Sequence, residues 1–389
     1  MKSDFDPLAP EDFDSPYDIY QDLRSHCPVA HSSAWGGFWA LTKHKDVAEA
    51  AADSETFITS KQNVVPKVAF TGRRPPLHLD PPEHTPYRRA LAPLLTERRI
   101  KRYAPVIGKI CGELLDPLIK RGHADICVEF SSRMPILVFA EWMNLPAERV
   151  DQLEAVGRRY NIAVQSNDEA VTKETSLKLY DMARALVAER AENPLSPEED
   201  ATSALLAVRV NGEPLPQEMI VGTIRQVLVV GIIAPTVLVG SIAVHLSRDR
   251  ALQDKLRSDL SLVPAATDEF LRLYTPYRGF ARTATRDVTI CGRTIPAGEP
   301  IALMYASANR DEDVFEDASS FNLDRPNMKD SVTFGRGPHS CLGASLGRLE
   351  IAIALKELLA RTRGFRLAGP IIPTRFPEIG ALMVPLEFE

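Results

Sequence analysis

No C-x-x-C pair occurs among the five cysteines, and their odd number rules out complete pairing. A disulfide framework or a zinc knuckle is therefore not suggested, and reduced thiols in a cytoplasmic protein are expected. Positive charge is not in excess. With 46 Lys and Arg against 52 Asp and Glu, the net charge of −6 gives no overall attraction to nucleic acid or to an anionic membrane surface. The opening residues, MKSDFDPLAPEDFDSP, are acidic and proline-rich where an export signal is basic and then apolar, so none is expected. Internal repeats, low-complexity tracts and a glycine-rich dinucleotide fingerprint are also missing, which argues against a solenoid, a disordered tail and a nucleotide-binding half.

What is present is length and apolar content: 389 residues, 44% hydrophobic and 25% charged, enough for one large core. The one junction-like stretch, ENPLSPEED at 192–200, is too short to separate domains, so residues 1–389 are predicted to form a single domain. Helical spacing covers most of 82–275, as in SLKLYDMARALVAER at 176–190. Strand-like pieces lie toward the ends, at 37–42, 288–290, 294–295, 301–304 and 381–388. The prediction is a mainly α fold with a small β portion. One run, VLVVGIIAPTVLVGSIAV at 227–244, has no charge over a length at which a membrane span becomes a candidate. Gly231, Pro235, Thr236, Gly240 and Ser241 within it, and the absence of an aromatic belt, favour a buried core helix.

The stretch Phe334 to Gly343, FGRGPHSCLG, carries the most chemistry. Gly335 and Gly337 let backbone take positive φ or approach a flat object. Cys341 precedes an amphipathic helix whose N-terminus is expected to favour thiolate, the form that ligates metals. His339 and Arg336 add donors for anionic groups. A lone cysteine in a glycine-rich loop is ordinarily just buried. This stretch, however, resembles at every fixed place the haem-binding loop F-G-x-G-x-H-x-C-x-G of the cytochrome P-450 (P450) enzymes, the haem-thiolate monooxygenases, and the likeness continues along nearly the whole chain in the family's order.

The resemblance implies the α-rich P450 fold, haem b (iron protoporphyrin IX) as cofactor, and Cys341 as the iron ligand, with Phe334 and Gly343 beside the haem. Glu269 and Arg272 match the family's Glu-x-x-Arg and Arg325 its third member, a set that holds the fold and does no chemistry. His84 and Arg88 in EHTPYRRAL, Arg282 in GFARTA, and His339 match the haem-propionate ligands; an i,i+4 spacing puts the first two on one helix face, and guanidinium suits carboxylate. On the central helix, Gly231 falls on the family's glycine, Ile233 on its acid and Ala234 on its threonine, so the acid–alcohol pair that delivers protons is missing. Gly231, Ala234, Pro235 and Thr236 are the candidate catalytic positions. Pro235 removes a helical N–H and releases the Gly231 carbonyl, so a kink is expected. Thr236 lies about 200° around an ideal helix from Ala234 and reaches the site only if that kink turns it inward.

The reaction implied is insertion of one oxygen atom from O2 into a C–H bond, or the dealkylation that follows. A peroxide-driven peroxygenase and a haem-thiolate binder without turnover are the alternatives. Electrons are expected from a separate ferredoxin and ferredoxin reductase, with Arg98, Arg99, Lys101 and Arg102 as a candidate docking patch. The substrate pocket is expected to draw on 61–79, on Val227, Val230, Ile233 and Ala234, on Tyr277, Arg278 and Phe280, and on 376–382. Most of these are apolar, suiting a small, mostly apolar substrate. Arg278 stands out as a possible partner for a carboxylate or phenolate, against a side chain that reaches propionate or solvent.

Overall fold

The computed structural model describes residues 3–67 and 71–389. Helix accounts for 54% and strand for 12%, in line with the dominance of helical spacing in the sequence. The helices that frame the site are α1 (Thr85–Leu91), α2 (Ala104–Arg121), α3 (Met134–Trp142), α4 (Ala147–Gln165), α5 (Glu169–Glu192), α6 (Gln217–Val230), α7 (Ile233–Arg248), α8 (Val263–Leu273) and α9 (Ala344–Arg361). Proline stands in the first two positions of α1, α2, α3 and α8, where the missing N–H would be unpaired in any case. Asp168 caps α5 by accepting from the Val171 N–H at 3.0 Å. Gly122 ends α2 at φ +85°, its N–H on the carbonyls of Leu118 and Ile119.

The charge-free run falls in α6 and α7. Of the most apolar window between Gln217 and Arg248, 72% is buried inside the protein, with α5 packed on α6 and α9 on α7. Its apolarity is thus used in the core, where a helix enclosed by neighbours has no polar face to present. The helix is also broken. Val230 ends α6 and Ile233 begins α7, with Gly231 and Ile232 in a turn closed by the Ile232 N–H on the Val229 carbonyl at 3.3 Å.

Five strands, β1 (Val29–Ser32), β2 (Phe38–Leu41), β3 (Phe57–Ile58), β4 (Phe280–Ala284) and β5 (Pro300–Leu303), form a sheet in the order β1-β2-β5-β4-β3. Only β2 and β5 run parallel. The tail read as one strand divides: Ala381–Met383 pairs with Ile372–Pro373, while Pro385–Phe388 lies between Phe365–Leu367 and His123–Asp125.

Candidate functional site

The cysteine loop is folded by its own backbone. Gly335 N–H donates to the Val332 carbonyl (2.8 Å), Ser340 N–H to Gly337 (3.0 Å) and Cys341 N–H to Phe334 (2.7 Å). Gly337 sits at φ +69° against the helix His44–Ala52, and a Cβ there would lie 2.7 Å from Ala52 Cα, so only glycine fits. The Phe334 ring is covered by the Arg348 guanidinium at 4.7 Å. Gly343 immediately precedes α9. Cys341 is accessible although protein surrounds its sulfur, which puts it on the wall of a recess and not on the outer surface. Burial pushes its thiol up, and the Gly343 N–H with the charges of Arg88 and Arg348 offsets this only in part. The helix start does favour the thiolate through the Gly343 N–H, though by less than burial disfavours it, and a bound cation would supply the rest.

Basic groups gather behind the loop. Arg88 donates to the Ser340 carbonyl at 2.8 Å. His84 Nε2 meets the Pro338 carbonyl at 3.3 Å and must carry the hydrogen, so Nδ1 accepts from the Thr85 hydroxyl at 3.1 Å in the neutral ring. The His84 and His339 rings lie 5.0 Å apart. Burial lowers the pKa of both, opposed by the Pro338 carbonyl in one case and by Asp80 in the other. Arg282, on β4, is buried and donates to the Ala281 carbonyl, and its charge reaches His339.

Asp80 is a member that sequence reasoning missed. It accepts from the Thr59 N–H (2.7 Å), the Thr59 hydroxyl (3.0 Å) and the Ser60 N–H (3.1 Å), and lies 3.6 Å from His339 Nε2. Burial raises its pKa, but His339 and these hydrogen bonds more than reverse that, leaving the carboxyl well below the usual range. It orients His339. Its sequence signal was the acid immediately before Pro81-Pro82, four residues ahead of His84.

Across the recess, α6 and α7 present one face. Val230 is 48% exposed and Gln226, Val227, Ile233 and Ala234 are half-buried, while most of the rest of these helices is enclosed. Tyr277 and Phe280 add half-buried rings 4.4 Å apart. Gly231 is roofed by Phe139, and a Cβ there would collide with that ring. Thr236 points away: its hydroxyl sits 2.9 Å from the Ser131 carbonyl and 2.8 Å from that of Ile232, beside the turn Cys127–Ser131. The break in the helix does not swing it inward.

A sulfur set in a recess, with basic side chains around it, fits an iron whose remaining ligands come from a carboxylate-bearing macrocycle. Among the described residues no three His, Cys, Asp or Glu side chains gather as a metal cage of their own. The sequence pattern of the Cytochrome P450 family matches residues 241–374. Cytochrome P450 130 of Mycobacterium tuberculosis is 31% identical over 382 residues, covering 95% of this chain and 93% of that protein. The chain belongs to the cytochrome P450 family. Mycinamicin IV hydroxylase/epoxidase of Micromonospora griseorubida is likewise 31% identical, over 95% of the chain and 93% of its own length. The solved P450 CYP109Q5 of Chondromyces apiculatus superposes with a TM-score of 0.89 at 29% identity, covering 100% of this chain and 99% of that one. This P450 is accordingly a haem b enzyme, an oxidoreductase of the monooxygenase class.

One expectation about this P450 is corrected. Arg278 does not face a substrate. Its guanidinium is buried against the chain's own Glu11 (2.8 and 2.9 Å) and Tyr20 hydroxyl (3.0 Å), and Nε donates to the Glu378 carbonyl. The carboxylate and the phenol it meets are intramolecular, contributed by the N-terminal segment. In the basic cluster Arg99 and Arg102 share Glu199 at 2.8 and 3.0 Å and Lys101 pairs with Glu97 at 2.8 Å, while Arg98 is exposed. The Glu269, Arg272 and Arg325 triad assembles in the core, away from the recess.

Proposed function

We propose that this P450 inserts one oxygen atom from dioxygen into a C–H bond of a small, mostly apolar organic substrate, by hydroxylation or oxidative dealkylation, in the cytoplasm and with electrons from a separate ferredoxin and ferredoxin reductase. The observation that supports the substrate class is the apolar face Val227, Val230, Ile233 and Ala234, open to the recess beside Cys341. When bound, haem supplies dioxygen activation and the one-electron steps. Cys341 would ligate the iron, with Phe334 and Gly343 packed beside it. His84, Arg88, Arg282 and His339 would take the propionates. A reconstituted mixture with NAD(P)H should form product only when substrate and both electron carriers are present. Product from peroxide alone at a matching rate would make the enzyme a peroxygenase instead, and a spin-state shift without product would make it a binder.

Ile233 and Ala234 carry no titratable group, so protons must come by another path. Pro235 offers the Gly231 carbonyl no N–H, and a released carbonyl draws a water. We assign the proton path to that water or to a polar group of the substrate. Thr236 is assigned to packing, because its one proton is shared between two carbonyls. Thr236→Val should leave the ratio of product to reductant within about twofold, whereas Pro235→Ala, which restores an N–H, should lower it severalfold and raise peroxide release, since a misplaced proton donor costs on the order of 10²-fold or more in rate. The reverse ranking would make Thr236 the relay.

Electron delivery is assigned to the face carrying Arg98, which is exposed and forms no ion pair among the described residues. Arg98→Glu should slow ferredoxin-driven reduction, with a steeper effect at low salt, and leave peroxide-driven turnover unchanged. Equal loss of both activities would mean damage to the fold and no docking role.

A further inference from the structure

Most buried arginines of this protein meet a carboxylate: Arg24 meets Glu312, Arg190 Asp200, Arg272 and Arg325 Glu269, and Arg278 Glu11. Arg310 has none but leaves no nitrogen orphaned, stacking on Tyr17 at 3.7 Å and donating to the Leu273 carbonyl. Arg74 and Arg225 differ. Arg225 is 0% exposed. Its Nη2 donates to the Ser176 hydroxyl at 2.8 Å and its plane faces the Tyr160 ring at 4.9 Å, yet Nε and Nη1 are buried without an acceptor. Arg74 Nε is orphaned likewise, while one of its Nη atoms meets His78 Nε2 at 3.1 Å.

The two cations are forced together by packing. Residues 71–79 are pressed between α5 and α6: the Thr71 and Ser176 hydroxyls meet at 2.7 Å, Gly72 is tight against the Tyr180 hydroxyl, and Gly222 is tight against the Arg73 carbonyl. No Asp or Glu among the described residues pairs with either arginine. Burial and the facing Arg225 lower the Arg74 pKa. Burial, with Arg74, Arg225 and Arg73, pushes His78 down to about 3. Burial pushes the Tyr160 phenol up, but the charges of Arg225 and Arg74, and their hydrogen bonding to the phenol, outweigh it and the net shift is downward. Two guanidinium groups with buried, unsatisfied nitrogens and no carboxylate beside them leave the cluster short of one negative charge.

The cluster adjoins the partly exposed face of α6. Arg225 lies five residues before Val230, about 7.5 Å along the helix axis, and is followed directly by the half-buried Gln226 and Val227. Tyr160 lies within electrostatic reach of Tyr277, which itself feels Cys341.

We propose that Arg74 and Arg225, with the Tyr160 hydroxyl, bind the carboxylate of the substrate, so that this P450 oxidises carboxylic acids whose apolar body lies along Val227, Val230 and Ala234. Guanidinium forks match a planar carboxylate. The acid end would be held at the arginine pair and oxidation would fall on carbon remote from it. The inference rests on the P450 reading of the recess, so its test begins with protein whose ferrous carbon monoxide complex shows the thiolate band; without that band the P450 reading fails, not this one.

The test titrates the holoenzyme with straight-chain acids from butanoic to dodecanoic and with 4-phenylbutanoic acid, each beside its methyl ester, reading the haem spin-state shift and the thermal midpoint. At least one acid should bind about tenfold or more tightly than its ester, the scale of a charge-assisted hydrogen bond. Arg225→Gln and, independently, Arg74→Gln should remove that preference while ester affinity stays within about twofold. Because each variant takes away a cation that no carboxylate compensates, its thermal midpoint should not fall, and Arg74→Gln tests the proposal independently should Arg225→Gln misfold. Acids binding no better than esters across the series, or a preference that survives both substitutions, overturns the proposal.

Discussion

Cys341→Ala is expected to purify without the thiolate-type band in its ferrous carbon monoxide complex, with turnover at background. Iron requires a deprotonated sulfur, and no other cysteine can stand in. Cys111 and Cys127 are buried in the core, the first with its thiol pushed up to about 12 and the second higher still, both by desolvation. Cys27 and Cys291 lie against Arg293 and Asp46, outside the loop. Substitution of a propionate partner has a different signature. Arg88→Ala or His339→Ala should keep the band while weakening haem retention, since losing a charge-assisted hydrogen bond costs about 1.5–3 kcal/mol, roughly tenfold to a hundredfold. Apo-protein transfer kinetics separate the two classes. An unchanged spectrum in Cys341→Ala would remove the ligand assignment altogether.

The parts of this site that were legible in the sequence are those whose geometry is fixed locally. The Phe334–Gly343 loop closes on its own carbonyls, and the His84 to Arg88 spacing is a property of one helix start. The partners that were not legible come from far along the chain. Glu11 reaches Arg278 across 267 positions and Arg102 reaches Glu199 across 97, and no local pattern encodes such meetings. Strand detection failed for a related reason. Strand β1, VAHS, is buried at all four positions, so it lacks the alternation that marks a half-buried strand. The tail 381–388 is almost wholly apolar and reads as one strand, but the chain changes sheets at Val384. The orphaned nitrogens of Arg74 and Arg225 belong with these long-range features, because a missing partner is visible only once all neighbours are placed.

Glu269→Gln is expected to cost about 3–5 kcal/mol, the scale on which one partner of a buried ion pair is removed and the other is left uncompensated. Here two charges are left. Glu269 accepts from Arg272 at 2.7 and 2.8 Å, from Arg325 at 3.0 and 3.1 Å, and from the Asn322 N–H at 3.0 Å. Glutamine keeps the volume and one acceptor but no charge, and its amide would point hydrogens at a guanidinium. Set against a typical total of about 5–15 kcal/mol, the loss takes a large share of stability. The damage should also reach the haem loop. Arg272 donates to the Asn309 and Ala318 carbonyls, and Asn309 in turn accepts from the Val332 N–H at 2.8 Å, two residues before Phe334. Urea unfolding of the holoprotein should therefore show a lower midpoint, and the folded fraction should release haem faster. Arg272→Lys should not escape the loss, because an ammonium cannot donate along the several fixed directions that the guanidinium serves. A midpoint shift in Glu269→Gln worth less than about 1 kcal/mol would show that the surrounding carbonyls suffice to hold both cations, and that this core does not support the cysteine loop.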